Sequence, residues 1–382
     1  MSRCGSRAAF ALLAMVSSVA AAQDDWSRAG ALPAFAGTGA STVAVAPGAL
    51  ASAVAAAMPG QILELAPGRY EIAKRIAVAR PGDGANPIVL RARHLGEVVI
   101  RVTATEGFFV QAPHWIFENL VLLGACPRQS DCEHAFHVVG QATASVIRNN
   151  CLADFNAPIK VNRLEGDFPD YGLIEHNSLY AHGPRETANP VTLIDIVSAN
   201  GWMVRANLIM DFAKVSGNHI SYGAFMKGGG QGGSFDGNIV ACRFRVAPAS
   251  LFEQRVGLSF GGGGTALPSC RDGQCRFEHS GGLARHNLIL NCSDIGLYLN
   301  KAAESRVIGN ILDHTGGITA RFAETRAEIR DNIVDGGLRD RDGAQSVRVN
   351  NTSVAIAPPA NWPQLVEDRA AVCATAEQAG IP

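Results

Sequence analysis

The chain has 382 residues, 47% hydrophobic and 18% charged, with 33 basic against 34 acidic side chains. That is too apolar and too weakly charged for a disordered chain, and a formal net charge of −1 supplies no general field for nucleic acid or an anionic membrane surface. Glycine is plentiful at 41 residues but follows no three-residue period, which excludes a collagen-like chain and implies many tight turns.

Residues 1–22 read as an export signal: Arg3 and Arg7, an apolar run from Ala8 to Val16, then small residues to Ala22. A mature chain starting near Gln23 keeps eight of the nine cysteines, an even number that suits disulfides in an oxidising compartment. No later stretch is apolar for the ~18 residues of a membrane span. The expectation is an exported protein, periplasmic or secreted, monomeric, with neither a nucleic-acid nor a membrane partner.

After an N-terminal segment, 23–48, an Ala-rich run from Ala49 to Met58 predicts a short helix stopped by Pro59-Gly60, and Gln61 to Tyr70 predicts the first strand and turn. A repeat follows. The pattern apolar-x-x-Asn-x-apolar recurs around Asn119, Asn150, Asn177, Asn207, Asn238, Asn287, Asn310, Asn332 and Asn351, at spacings of 31, 27, 30, 31, 49, 23, 22 and 19. Short β-rich runs at such a period, separated by Gly and Asn, are the coils of an all-β, single-stranded, right-handed parallel β-helix. Stacked coils lie about 4.8 Å apart, so an Asn at one corner of each can bond the next and form a structural ladder. Nine coils make a rod of roughly 40 Å. The β-helix is expected over 49–355, with the N-terminal helix as a cap and a tail or second capping helix in 356–382, over the last coil.

The 49-residue coil carries an insertion at about 261–282, an excursion that should overhang a binding face. Cys126 with Cys132 and Cys270 with Cys275 each flank a short polar loop and suit local disulfides. Cys242 and Cys292 follow their ladder Asn by four and five positions in consecutive coils and can stack; Cys151 and Cys373 have no evident partner.

With the ladder Asn as ruler, the strand 11 to 13 positions earlier places Lys160, Asn162, Asp195, Lys227, Ser259, Tyr298, Asn300 and Arg321 on one outward face, because side chains alternate along a strand. Cations, amides and an aromatic along one groove suit an acidic sugar chain. Lys227 stands out as one of only five lysines, and it precedes Gly228-Gly229-Gly230, where backbone could approach a ligand closely. His219 lies near the same central region and could serve as a further polar contact or base.

The helix followed by PGQILELAPGRY, NPIVLRA and GEVVI (Pro59–Tyr70, Asn86–Ala92, Gly96–Ile100) resembles the N-terminal part of pectate-lyase-like β-helix proteins. It is most similar to the alginate lyase and chondroitinase B family of polysaccharide lyases. The resemblance implies β-elimination on an acidic, uronate-containing polysaccharide, with a Lys base, matched by Lys227, and an Arg acid from a neighbouring coil, best matched by Arg255. It also implies calcium held by acidic and amide side chains, for which Asp195, Glu253 and Glu278 are the candidates. The Gly-His-Gly and paired-Asp signatures of hydrolases on this fold, and the Asp-Pro-His-Asp run of its epimerases, are absent. A hydrolase, an epimerase or a non-catalytic carbohydrate-binding solenoid stand as the alternatives.

Overall fold

The computed structural model describes residues 40–248, 250–262, 264–354 and 362–379; the expected export signal and most of the segment before residue 49 lie outside them. The chain visits three long sheets in turn, and a short fourth pairs Gly230–Gln231, His279–Ser280 and Ala302–Ala303. Sheet 1 has twelve strands, from Ser41–Val45 to Gln345–Val349; sheet 2 has ten, from Gly68–Ile72 to Ile333–Val334; sheet 3 has ten, from Ile76–Val78 to Leu338–Arg341. Neighbours within each sheet come from successive coils and pair in parallel, as the register Val146↔Leu173↔Met203↔Ser234 illustrates. This is a parallel β-helix. Its first coils carry no corner Asn, so the repeat undercounts them; twelve stacked strands give a rod of about 50 Å.

The interior is a continuous column of Val, Ile, Leu and Phe, with Phe108, Phe117 and Phe136 meeting at ring distances of 4.9 to 5.6 Å. The N-terminal helix, Leu50–Ala56, buries Leu50 and Val54 into the open end of that column. The C-terminal helix, Trp362–Ala379, forms as expected but not over the last coil. It lies on the outer face of sheet 2, where Val366, Ala370 and Cys373 pack with Val99, Val121, Cys151 and Tyr180. Those apolar residues need a cover, and the spacing of four and three along the helix presents one stripe to them.

The ladder runs from Asn150 to Asn351. At each step the lower Asn donates both its main-chain N–H and its side-chain amide to the Oδ1 above, as Asn177 does to Asn207 at 3.0 and 3.0 Å. Two details differ from the expectation. Asn119 is not a rung: the residue in register is Leu120, whose N–H donates to Asn150 Oδ1, whereas Asn119 accepts from Asn149. The left-handed position is the residue before each rung, with φ of 50° at Asn149, 56° at His176 and 54° at His286, while the rungs keep ordinary φ.

All eight cysteines of the described region are paired. Cys126–Cys132, Cys270–Cys275 and Cys242–Cys292 pair as expected, and Cys151 pairs with Cys373, tying the C-terminal helix to a central coil. Four disulfides fit an oxidising compartment, and no helix among the described residues is long and apolar enough to cross a membrane.

A second tie holds that helix. His182 Nδ1 lies 2.7 Å from Asp154 and its Nε2 lies 3.0 Å from Glu377, and these two carboxylates push the imidazole up to about 10. A raised histidine contributes stability that is complete below its unfolded value near 6.5 and is lost as pH rises through about 10. Fluorescence of Trp362, which packs on Phe244, should therefore change with a midpoint near pH 10, and His182→Gln should remove that transition.

His279 is fully buried, stacked on Phe260 at 4.7 Å, with neither ring nitrogen hydrogen-bonded. Burial holds its imidazole down at about 3, so stability falls as pH drops below 6.5. A neutral ring still buries an unpaired N–H, which costs about 1–3 kcal/mol. His279→Met should raise the urea midpoint at neutral pH and flatten the acid-side loss.

Candidate functional site

Sheet 3 supplies the floor of the site. Its inner faces are the Phe, Ile and Leu of the core; its outer residues line up across strands as Phe109, His137, Lys160, Asp195, Phe225, Ser259 and Tyr298. Lys160 Nζ donates to Asp195 Oδ2 at 2.7 Å. Two residues beyond Phe225, Lys227 turns its ammonium back over the Phe225 ring, 4.4 Å from the centroid. Burial is the main influence on this amine and lowers its pKa below the ordinary 10.5; Asp195 and Glu278 oppose the shift and Lys160 adds to it.

Residues of the 261–282 segment pack beside this floor. Gly262 approaches so closely that an added Cβ would lie 3.5 Å from Phe225 and 3.7 Å from the Lys227 side chain. Arg271 grips Asp170 with two bonds of 2.8 Å and also reaches the Ser198 carbonyl, and Arg163 bonds the Pro268 carbonyl. These contacts fix the insertion along one side of the floor.

Several expected site residues are elsewhere or occupied. Arg255, matched to the acid, is fully buried; its guanidinium pairs with Glu253 and donates to the carbonyls of Cys242 and Ala247. It cannot reach a substrate on the outer face. Glu253 is thereby removed as a metal ligand. Glu278 accepts from the Gly228 N–H at 3.0 Å and Thr265 at 2.7 Å, and Asp195 is held by Lys160. The three acids proposed for calcium are thus committed to three different partners, and their donor set does not fit the ion.

Ser259 is buried, its hydroxyl turned to the carbonyls of Gly261 and Tyr298. Tyr298 is only 7% exposed and accepts from Asn300, which leaves no ring face for a sugar to stack on. Arg321 shares the Lys227 face but lies three strands, roughly 14 Å, from Lys227, and it pairs with Asp342. His219 precedes the strand that Lys227 ends, roughly 25 Å away along it. Gly228 and Gly230 sit against the preceding coil, where a Cβ would meet Ser198 at 2.8 Å and the Ala199 carbonyl at 2.4 Å, so they serve coil packing and not ligand approach.

Strict alternation along a strand misses one group of residues. His134 and His137, three apart, should face opposite ways, yet their rings lie 4.8 Å apart. The N–H groups of Ala135 and Phe136 both donate to the Pro158 carbonyl, and those of Glu133 and His134 both reach the Thr105 carbonyl. Two donors on one acceptor mark a local kink in the strand, kept in one-to-one register with the strand before it (His134↔Glu106, Phe136↔Phe108), and the kink re-aims His134 to the outer face. Glu106 joins them: its Oε1 lies 2.7 Å from His137 Nδ1, and Arg75 bonds its Oε2 at 3.2 Å. Burial raises the Glu106 pKa, but His137 and Arg75 outweigh it and hold the carboxyl at about 2. Burial, followed by the nearby His137 charge, brings His134 down to about 4. Glu133, just before the same strand, is raised by burial despite hydrogen bonds from Asn189 and Asn156. The floor therefore extends from Glu106 through Lys160 to Lys227, a longer array than sequence spacing suggests.

No protein-family profile matches this chain, and no curated protein matches it. Solved structures do. A mannuronic acid specific polysaccharide family 6 lyase from human gut microbiota aligns over 88% of this chain and 99% of its own, at 10% identity and a TM-score of 0.38. An alginate lyase from Paenibacillus sp. str. FPU-7 aligns over 82% and 95%, at 10% identity and 0.46. The A-module of an Azotobacter vinelandii mannuronan C-5 epimerase aligns over 87% and 95%, at 13% identity and 0.41. At these distances chemistry does not transfer, and the site rests on its own geometry.

Proposed function

We propose that this chain binds an acidic, uronate-containing polysaccharide along the outer face of sheet 3 and cleaves it by β-elimination, in an extracytoplasmic compartment. One observation carries the reading: a lysine amine, lowered by burial, stands on an outward sheet face beside a second lysine and an aromatic ring. Near neutrality a larger share of such an amine is uncharged than of an exposed lysine, which is what a general base requires.

In this reaction the neutral Lys227 Nζ takes the proton from the carbon next to the uronate carboxylate. Negative charge grows on that carboxylate, and the ammonium groups of Lys160 and of the newly protonated Lys227 stabilise it. The bond to the leaving glycosidic oxygen then breaks as the carbon–carbon double bond forms. With Arg255 out of reach, the proton acquired by Lys227 passes to that oxygen on the same side of the ring. No step runs through calcium.

The test is to incubate the protein with alginate, chondroitin, heparin-type and pectic polymers and follow the ultraviolet absorbance of unsaturated uronate. Absorbance that rises on at least one polymer and vanishes in Lys227→Ala supports the lyase; binding without any product points to a non-catalytic module. A hydrolase reading draws on Glu133, whose burial favours the proton-holding form needed in a glycosidase acid. New reducing ends without absorbance would select it.

A further inference from the structure

We propose that Glu106, His134 and His137 form a binding site for one divalent transition-metal ion of the zinc class, independent of the lyase reading. One donor atom from each of the three lies within 4.8 Å of the others. A tetrahedral ion with bonds of about 2.0–2.1 Å separates its ligand atoms by about 3.3 Å, so small side-chain rotations close the group onto it. Two imidazoles and one carboxylate are a nitrogen-rich set that suits zinc-like ions and not calcium, which takes six to eight oxygens.

The hydrogen bonds around the group point the same way. His134 Nδ1 lies 2.8 Å from the Ala157 carbonyl, an acceptor only, so Nδ1 carries the proton and the lone pair of a neutral ring is at Nε2. A backbone carbonyl on the far nitrogen is how metal-binding histidines are oriented. His137 faces acceptors on both sides: Glu106 Oε1 at 2.7 Å and Asn162 Oδ1 at 2.7 Å. The Asn162 amide nitrogen donates to the Arg163 carbonyl at 2.8 Å, which fixes its oxygen toward the ring. A neutral His137 has one proton for these two acceptors. A metal ion on Nδ1 supplies the missing positive partner and bridges to Glu106.

The strand is built to make this possible. Without the kink at Ala135–Phe136, His134 would point into the core and the group would lose a ligand. Three protein ligands leave a fourth position open toward the groove, the arrangement that admits water or a substrate oxygen. The nearest cations are already engaged, Lys160 by Asp195 and Arg75 by the second Glu106 oxygen. Arg75 is a competitor, because it draws Glu106 away from the ion.

The experiment uses the full chain without a histidine tag, stripped with chelator and dialysed against zinc chloride alone, with bound metal counted by mass spectrometry and affinity by calorimetry. The expected result is one ion per chain, weakened at least about 100-fold by Glu106→Gln and by His134→Ala. His314→Ala, which removes the exposed imidazole of a separate Asp313–His314–Asp335 group, should leave that site unchanged. Arg75→Ala should tighten binding several-fold, which a purely structural role for these residues does not anticipate. Cobalt substitution gives a second readout, a visible tetrahedral spectrum present in the parent and lost in Glu106→Gln while the circular dichroism is retained. Failure to take up zinc at 100-fold excess, or uptake that persists unchanged in both Glu106→Gln and His134→Ala, overturns the site. The lyase reading stands or falls separately on the absorbance assay.

Discussion

Lys227→Ala is expected to lower kcat/KM on the cleaved polymer by ~10²–10⁴-fold, the usual contribution of a positioned general base, with little change in thermal stability. The side chain lies on the outer face, rests on Phe225, and makes no hydrogen bond among the described residues, so its loss leaves the coil intact. The pH profile adds a second criterion. Only the neutral amine can accept a proton, so the rate should rise with pH, and burial places the midpoint below the ordinary 10.5 of lysine. Asp195 opposes that shift, so Asp195→Asn should move the midpoint to lower pH still. Lys227→Arg keeps the charge but cannot be deprotonated, and should be as inactive as the alanine variant. Wild-type rates in Lys227→Ala would remove this residue from the chemistry.

Asn207→Leu is expected to cost on the order of 4 kcal/mol, near the upper end for a single substitution. Asn207 is fully buried and donates to the Ile174 and Arg205 carbonyls at 3.0 Å each and to Asn238 Oδ1, while its own Oδ1 accepts two bonds from Asn177. Leucine has similar volume but strands polar atoms on both neighbouring coils, each orphan costing about 1–3 kcal/mol before local relaxation. The ladder also predicts a gradient. Asn351 ends it and is only half-buried, so Asn351→Leu should cost less than half as much. Urea denaturation of both variants checks this; equal costs would mean that the rungs act locally and not as a chain.

The corner Asn was legible because its signal repeats: one polar residue between apolar ones, many times over, survives any uncertainty about a single strand. The outward alignment of Lys160, Asp195 and Ser259 followed from the same ruler, since period-2 alternation holds over those residues. The ruler slipped at Asn119, where Trp115, Ile116 and Phe117 are all apolar, so the pattern fits one residue early and only hydrogen-bond register shows that Leu120 holds the corner. It failed for His134 and His137 because a backbone kink at Ala135–Phe136 breaks alternation without leaving any mark in composition. Arg255 misled for another reason. The resemblance matched it by its place before the Gly257 stretch, but the Cys242 and Ala247 carbonyls and the Glu253 carboxylate hold its guanidinium inside. Partnerships between distant segments, such as Cys151 with Cys373 across 222 residues, have no local signature at all.

That disulfide changes how the rod can come apart. A linear stack of coils normally peels from either free end, each coil leaving without disturbing those behind it. Here the described chain ends in a helix bolted to a coil near the middle, so the later coils form a closed covalent loop of more than two hundred residues. A tether pulling on the C-terminus would load the coil of Cys151 and pass over the terminal coils entirely. Under oxidising conditions, force or a processive unfoldase applied at that end would have to open the rod from its centre, and reduction would restore the zipper-like order.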